Sequence, residues 1–303
     1  MNKIPVGQTI RFAYAFTFGE IGTVIGLIWI PTLINAVASF FALGGYYTAL
    51  ADSFESGLPP VGSAIGLSLL LAFVSMLLLA MIAVAITQQA LGLRQGPAFA
   101  HIALGSAELR ALGGFFGLYL LLILFVLAVA LVVGIVAAVG AAVMKSNAAA
   151  AAPVGLAVVL AVLVGLCVVI FAIVRLSFLM VPAVVDGGEF GLTRSWEFTK
   201  GNFWRIALIG VCTLLPLMLV FVIAESAILG PEFFVPNPKP AADATANLHA
   251  MAAQMRLLQK HMPVLMGLTF VISPLLYGLL FSASAFAYRS VSGRTVTAPR
   301  KES

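Results

Sequence analysis

Six long apolar segments, separated by shorter polar stretches, dominate the sequence. They cover residues 21–43, 61–86, 115–143, 154–180, 206–229 and 263–287. Each is longer than the roughly 20 residues that an α-helix needs to cross the hydrocarbon core of a bilayer. The pattern therefore predicts an all-α integral membrane protein with six transmembrane helices, in a single membrane domain over residues 1–303.

The polar stretch at 186–205, just before the fifth apolar segment, is the densest patch of charge and tryptophan in the chain. At helical spacing, one face holds Leu192, Trp196, Thr199 and Phe203, and another holds Arg194, Glu197 and Lys200. Thr193 is placed to cap such a helix at its N-terminus. Aromatic rings favour the membrane boundary and cations favour anionic headgroups on the cytoplasmic side. The stretch therefore predicts a helix that lies in the cytoplasmic headgroup layer.

Weaker versions of this interfacial helix precede the first and third apolar segments, at residues 5–20 and 91–114. The first places Gln8, Arg11 and Ala15 at helical spacing, and the second contains His101, Glu108 and Arg110. The arrangement predicts a threefold repeat of interfacial helix plus membrane hairpin, with units at 5–95, 96–187 and 188–290 and a basic cytoplasmic tail at 291–303. Because each unit crosses the membrane twice, the repeats would be related by an axis along the membrane normal.

The longest polar segment, residues 230–261, separates the fifth and sixth apolar segments. Its first part is too rich in proline for a regular helix. Residues 243–262 then carry an apolar stripe at helical spacing, formed by Leu248, Met251, Met255, Leu258 and Met262. The stripe predicts an amphipathic helix, which lies on the outer leaflet or on the bundle, or reaches toward another protein.

Composition excludes a water-soluble protein. Hydrophobic residues make up 62% of the chain and charged residues 9%, against about 45–50% and about 25% in typical globular domains. The formal charge of +5 is small and no basic run indicates nucleic-acid binding. Cys167 and Cys212 both lie in apolar segments, where a thiol acts as a small hydrophobic group.

The distribution of cations predicts the orientation. Of the 16 lysines and arginines, all lie on one predicted side except Lys145, Lys239, Arg256 and Lys260. Because cations are concentrated on the cytoplasmic side of membrane proteins, both termini are predicted to be cytoplasmic. We expect a multi-pass membrane protein.

Three stretches carry a family resemblance: Arg175-Leu176-Ser177-Phe178, the seven residues 181–187 (VPAVVDG), and the eleven residues 195–205 (SWEFTKGNFWR). Over about residues 170–210 the chain resembles the bacterial glycerophosphoryl diester phosphodiesterase membrane domain and related uncharacterised six-helix inner-membrane proteins. The resemblance implies membrane architecture, a bacterial inner membrane as the location, and a link to phospholipid. It does not imply phosphodiesterase activity, because the soluble barrel that cleaves the substrate is not found in these 303 residues.

We interpret six side chains near the cytoplasmic face as a candidate site for lipid headgroups, called the collar below. The collar consists of Arg175, Arg194, Trp196, Lys200, Trp204 and Arg205. Arg175 is the most unusual member, because a cation at the end of an apolar segment is costly unless it is paired or reaches the interface. It either sits at the interface, holding a lipid phosphate, Asp186 or Glu189, or belongs to a substrate path.

Glu225, about one turn from the outer end of the fifth segment, is a candidate intramembrane charge. It is either exposed to headgroups or serves as a proton or cation site. Catalytic features are absent from the pattern: His101, His249 and His261 are scattered over different loops, and neither a nucleophile motif nor a phosphate-binding loop is present. We therefore predict no enzyme activity, no cofactor and no metal site.

Two functions fit these features. The first is a non-catalytic inner-membrane protein that organises or supports handling of phospholipid or of a partner membrane protein. Its partners would be the lipid bilayer, with anionic phospholipid, and a membrane-protein partner or a second copy of the chain, but not nucleic acid. The alternative is a transporter or channel for a small solute or lipid. Pro31 and Pro216 inside apolar segments favour that alternative, while the scarcity of polar residues in the spans argues against a hydrated pore.

Overall fold

The structure is a computed structural model, and it describes residues 3–57, 62–94, 99, 101–146, 151–187, 191–230, 233 and 244–293. Within these ranges the chain forms helices α1 (Val6–Gly19), α2 (Ile21–Ser56), α3 (Gly62–Ala90), α4 (Ser106–Ser146), α5 (Ala151–Ser177), α6 (Met180–Gly187), α7 (Leu192–Phe198), α8 (Phe203–Leu229) and α9 (Ala244–Ser292). Six of them, α2, α3, α4, α5, α8 and α9, are long and apolar enough to cross a membrane. The protein is an all-α multi-pass membrane protein, as the pattern of apolar segments predicts.

Every spanning helix except α5 is longer than its apolar segment; α5 has the same length as its segment but begins and ends three residues earlier. The polar flanks continue the helix because nothing in them stops it until a glycine or a turn intervenes, as at Gly57 after α2, which adopts a positive φ of 72°. Pro31 and Pro216 both lie inside continuous helices. In a bundle, neighbouring groups can compensate for the hydrogen bond that proline removes.

The even number of crossings brings the two ends of the chain together. Helix α1 packs on α8 and α9, and Ile4 is buried in the same apolar cluster as Tyr288 near the end of α9. We call the end of the bundle that holds α1, α6 and α7 the basic end, because Arg11, Arg175 and Arg289 lie there. The opposite end, where α2 ends and α9 begins, is called the far end.

Helix α6 lies at the centre of the basic end and was not predicted as a separate element. Its residues from Met180 to Val184 are all buried. Met180, Val181 and Val184 pack in an apolar cluster with α2, α3 and α9, whereas Ala183 belongs to a second cluster with α1, α8 and α9. Pro182 falls in the first turn of α6, where the missing N–H is tolerated. This short helix therefore joins the two clusters into one core.

Helices α4 and α5 form an outer pair that packs chiefly on itself. Large apolar side chains along both helices are exposed, among them Leu124, Leu127 and Leu131 of α4 and Leu160 and Val164 of α5. Such a surface needs hydrocarbon around it. The core is therefore concentrated at the basic end, and the middle of the bundle presents a broad surface to lipid.

The prediction of a second interfacial helix at residues 91–114 is wrong. After α3 the chain turns at Gly92, whose φ is 68°, and residues 101–105 are not helical. Helix α4 then begins at Ser106 and continues through the paired glycines without a break. Its start is fixed by Glu108, whose carboxylate accepts a hydrogen bond from the Gly105 N–H at 3.0 Å, as in a capping box.

The predicted helix over the polar stretch before the fifth segment is shorter than expected. Helix α7 ends at Phe198, and α8 begins at Phe203 after a turn. No side chain caps the start of α7, so the expectation for Thr193 is wrong; Gly191, with a φ of 75°, occupies the cap position instead. The buried side of α7 consists of Ser195 and Thr199 rather than of Trp196, which is 40% exposed.

The first predicted interfacial helix, at residues 5–20, corresponds to α1. Its polar face is exposed as expected, with Gln8, Arg11 and Ala15 at the surface. The opposite face is buried against α9, and it includes Thr17, whose methyl group would lie only 2.7 Å from a Cβ placed on Gly278. Helix α1 is thus packed tightly into the bundle. The threefold repeat stays a prediction.

The predicted amphipathic helix at residues 243–262 is the first part of α9, which runs on through Pro263 and Pro274 to Ser292. It packs along α2 at the far end. The apolar stripe is not uniformly buried: Leu248 and Met251 are exposed, whereas Met262 is buried.

Candidate functional site

Arg175 lies at the joint between the last turn of α5 and helix α7. Its guanidinium donates hydrogen bonds to the Trp196 carbonyl at 2.6 Å and to the Thr199 hydroxyl at 3.3 Å. The guanidinium carbon also lies 3.6 Å from the centre of the Trp196 ring and 5.5 Å from that of Phe171. Arginine is suited to this position because its planar, weakly hydrated group can stack and donate at the same time.

Helix α7 satisfies the end of α5 in return. The Ser195 hydroxyl donates to the Arg175 carbonyl at 2.9 Å, and the Thr199 hydroxyl donates to the Ser195 carbonyl at 2.8 Å. The last carbonyls of a helix have no partner within the helix. Ser195 was not recognised in the sequence, although its spacing of four residues from Thr199 is the signal that could have identified a small polar face.

Of the three partners considered for Arg175, Asp186 does not bind it in the structure. The Asp186 carboxylate accepts a hydrogen bond from the Tyr288 hydroxyl at 2.7 Å, whereas both hydrogen-bond partners of Arg175 are neutral. Glu189 lies outside the described residues. Among the described carboxylates, none forms an ion pair with Arg175, so no described carboxylate neutralises its positive charge.

Two other collar cations have structural contacts. The Arg205 guanidinium donates to the Ile4 carbonyl at 2.9 Å. That of Arg194 lies 5.5 Å from the centre of the Phe198 ring and covers Gly187, where a Cβ would collide with it. These two side chains therefore connect the collar to α6 and to the residues just before α1.

Lys200 and Trp204 are the outermost members of the collar. Lys200 is exposed in the turn between α7 and α8, and Trp204 is 81% exposed. The Trp204 ring lies 5.0 Å from that of Phe203, which in turn lies 4.8 Å from Phe171. The structure thus brings the six collar residues to the basic end. Arg175 is held there by its contacts with Trp196 and Thr199, whereas the side chains of Lys200 and Trp204 are exposed.

Glu225 is remote from the collar. It is half-buried in α8, twenty positions after Arg205, which corresponds to about 30 Å along a helix. No described cation forms an ion pair with it. Both interpretations of Glu225, exposure to headgroups and a proton or cation site, are compatible with this position.

A second polar cluster at the basic end was missed in the sequence. The Arg94 guanidinium lies 3.3 Å from His101 Nδ1, and His101 Nε2 lies 3.8 Å from the Glu108 carboxylate. Burial lowers the pKa of Arg94, and the charge of Glu108 opposes that effect. No group of three or more His, Cys, Asp or Glu side chains in the described part of the chain could hold a metal ion.

The structure also contains a cavity that the sequence did not reveal. It has a volume of about 380 Å³ and lies among α2, α3, α4 and α9. Its walls are mostly apolar, but they include Thr32 and Asn35 of α2, Ser75 of α3, Tyr119 of α4 and Ser273 of α9. Isolated polar residues in four separate spans gave no sequence signal, because only folding brings them together.

No protein-family model, no curated protein and no solved structure matches this chain. The resemblance over residues 170–210 therefore stays an expectation from the sequence, and the function has to be argued from the geometry.

Proposed function

We propose that this protein is a non-catalytic, multi-pass protein of a bacterial inner membrane that binds anionic phospholipid at its basic end. In this role it organises or supports the handling of phospholipid or of a partner membrane protein. The basic end faces the cytoplasm, so both termini are cytoplasmic.

The observation that carries the proposal is the state of Arg175. Its guanidinium is oriented by the Trp196 carbonyl and ring and by Thr199, but no described carboxylate neutralises it. A cation oriented in this way beside exposed Lys200 and Trp204 is suited to a phosphate group, since arginine and lysine both bind phosphate through charge-assisted hydrogen bonds. Each cation near an anionic membrane surface contributes about 1 kcal/mol to binding.

Two further features support the proposal, one for the cytoplasmic orientation of the basic end and one for phospholipid as the ligand. Cations outnumber carboxylates at the basic end, as expected of a cytoplasmic face. The resemblance of residues 170–210 to the glycerophosphoryl diester phosphodiesterase membrane domain covers the joint between α5 and α7, which is the region that holds the collar. The proposal takes from that resemblance a link to phospholipid and no catalytic step.

Lipid-dependent thermal stability tests the proposal. A ligand that binds only the folded state raises the melting temperature, and it does so more strongly the tighter it binds. We expect phosphatidylglycerol to stabilise the detergent-purified protein more than phosphatidylcholine does, and a Lys200→Ala, Trp204→Ala variant to lose most of that difference. Both side chains are exposed, so the variant should fold normally.

The matched control is Lys260→Ala, which removes an exposed cation at the far end. It should respond to phosphatidylglycerol as the wild type does. Equal stabilisation by the two lipids, or an unchanged preference in the collar variant, would contradict the proposal.

Transport of lipid or a small solute is the second candidate, and the cavity among α2, α3, α4 and α9 is the observation that favours it. Flux of an uncharged fluorescent solute into proteoliposomes would support this function if Glu225→Gln or Arg175→Ala abolished it in a correctly folded protein. Flux no faster than into protein-free vesicles would count against transport of that solute.

A further inference from the structure

The cavity among α2, α3, α4 and α9 lies deep in the membrane-spanning part of the bundle. Thr32 is eleven positions after the start of α2, and Ser75 is fifteen positions before the end of α3. At about 1.5 Å per residue, both lie roughly 17–22 Å from the basic end. That depth is near the middle of a hydrocarbon core about 30 Å thick.

Thr32 is the least satisfied polar group in this cavity. It is 7% exposed, and its hydroxyl has no hydrogen-bond partner among the described residues. Thr213 and Thr269, in other spans, donate to the carbonyl four residues earlier. A buried hydroxyl without a partner is costly, so its placement on a cavity wall indicates a ligand that supplies the partner.

Asn35 provides a second group on the same helix. The Ser75 hydroxyl donates to the Asn35 amide oxygen at 2.6 Å, and this bond fixes the amide so that its NH₂ group is left to donate. A donor amide and a free hydroxyl three residues apart on α2 line one cavity. Together they are suited to a carbonyl oxygen, which accepts two hydrogen bonds.

The remaining walls define the rest of the ligand. None of the described residues that line the cavity is charged, and four of them are aromatic: Phe115, Tyr119, Phe270 and Tyr277. A charged headgroup would be strongly disfavoured at this depth. Tyr119 is 44% exposed, so the cavity reaches the lateral surface of the bundle, where a molecule dissolved in the bilayer can approach.

We infer that this cavity binds a neutral, lipid-soluble molecule through a carbonyl group. Thr32 and Asn35 donate to the carbonyl oxygen, and the apolar and aromatic walls enclose the rest of the molecule. Two sources share this chemistry: a ring carbonyl, as in a quinone, and an ester carbonyl, as in a diacylglycerol. The inference is independent of the proposed function, because the collar binds a charged headgroup at the basic end.

Native mass spectrometry with three added probes tests the inference on the full chain. The probes are decylubiquinone, 1,2-dioctanoylglycerol and the hydrocarbon hexadecane, which has no acceptor. We expect at least one carbonyl probe to bind the wild type more tightly than hexadecane, and its identity distinguishes the two sources. Thr32→Val and Asn35→Leu, which keep the side-chain shape, should each weaken that binding about tenfold.

Two controls separate ligand contacts from folding. Thr32→Ser retains the hydroxyl and should bind nearly as well as the wild type. Thr213→Val removes a buried hydroxyl from α8, away from the cavity, and should not change binding. The inference is overturned if neither carbonyl probe binds more tightly than hexadecane, or if Thr32→Val and Asn35→Leu bind as the wild type does. Retention of phosphatidylglycerol in the same spectra reports separately on the collar.

Discussion

At the scale of single residues, Arg175 shows how an interfacial cation can be structural and available for binding at once. Two of its hydrogen bonds and its stacking on Trp196 hold α7 against α5. Because both acceptors are neutral, these contacts leave the positive charge intact. A lysine could neither stack in this way nor make both bonds with a fixed geometry, so the position favours arginine.

Gly191 is the residue on which the approach of α6 to α7 depends most directly. Its φ is 75°, and a Cβ at this position would lie 2.5 Å from the Met180 carbonyl oxygen. We predict that Gly191→Ala destabilises the protein by roughly 3 kcal/mol or more, since it combines a left-handed conformation with a collision against backbone. Thermal denaturation in detergent would measure the loss.

Gly201 is the matched control for this prediction. It has the same φ of 75°, but no atom of the described residues lies within 4 Å of the point that an alanine methyl group would occupy. Gly201→Ala should therefore cost only about 1–2 kcal/mol from the backbone conformation. Similar losses for the two variants would mean that α6 and α7 do not approach each other this closely.

At the scale of elements, the six spans could be predicted because hydropathy over 20 or more residues overrides local signals. The short helix α6 could not, since Met180 to Val184 continue the apolar pattern of α5 and only the turn at 178–179 separates them.

The collar residues were identified by composition, whereas their roles depend on contacts such as Ser195 with Arg175, which lie twenty positions apart.

The pairing of α9 with α2 at the far end places the helix predicted over residues 243–262 on the bundle, which is one of the positions that the sequence left open. The Arg256 guanidinium lies 2.7 Å from the Glu55 carboxylate, and the Gln259 amide donates to the Thr48 hydroxyl at 2.8 Å. Polar side chains of two long helices therefore form this contact.

Cross-linking tests this pairing. In a chain with Cys167 and Cys212 replaced by alanine, we predict that Thr48→Cys combined with Gln259→Cys forms an intramolecular cross-link with a short bifunctional thiol reagent. Thr48→Cys combined with Met251→Cys should not, because Met251 lies eight residues away, about 12 Å along α9. Equal reactivity of the two pairs would contradict a helix fixed along α2.

At the scale of the whole molecule, the core and the cations are both concentrated at the basic end. Two apolar clusters meet there around α6, while the outer pair α4 and α5 exposes its apolar surface. A basic end with a packed core and a middle with an exposed apolar surface are consistent with a protein whose binding partners come from the bilayer. The orientation of this end is the premise of the proposed function.

Labelling of single cysteines tests that orientation. In the same cysteine-free chain, Lys260→Cys at the far end should react with a membrane-impermeant maleimide in intact spheroplasts. Lys200→Cys at the basic end should react only after the membrane is opened. Both positions are exposed, so the reverse pattern would place the collar outside the cell and contradict the proposal.

The most direct test of the central claim is native mass spectrometry of the protein released from its own membrane in mild detergent. We predict that the wild type and Lys260→Ala retain anionic phospholipid, and that Lys200→Ala, Trp204→Ala largely loses it while its melting temperature stays within a few degrees of the wild type. The same set of lipids on all three proteins would contradict the account, because the collar would then only anchor the protein at the membrane surface.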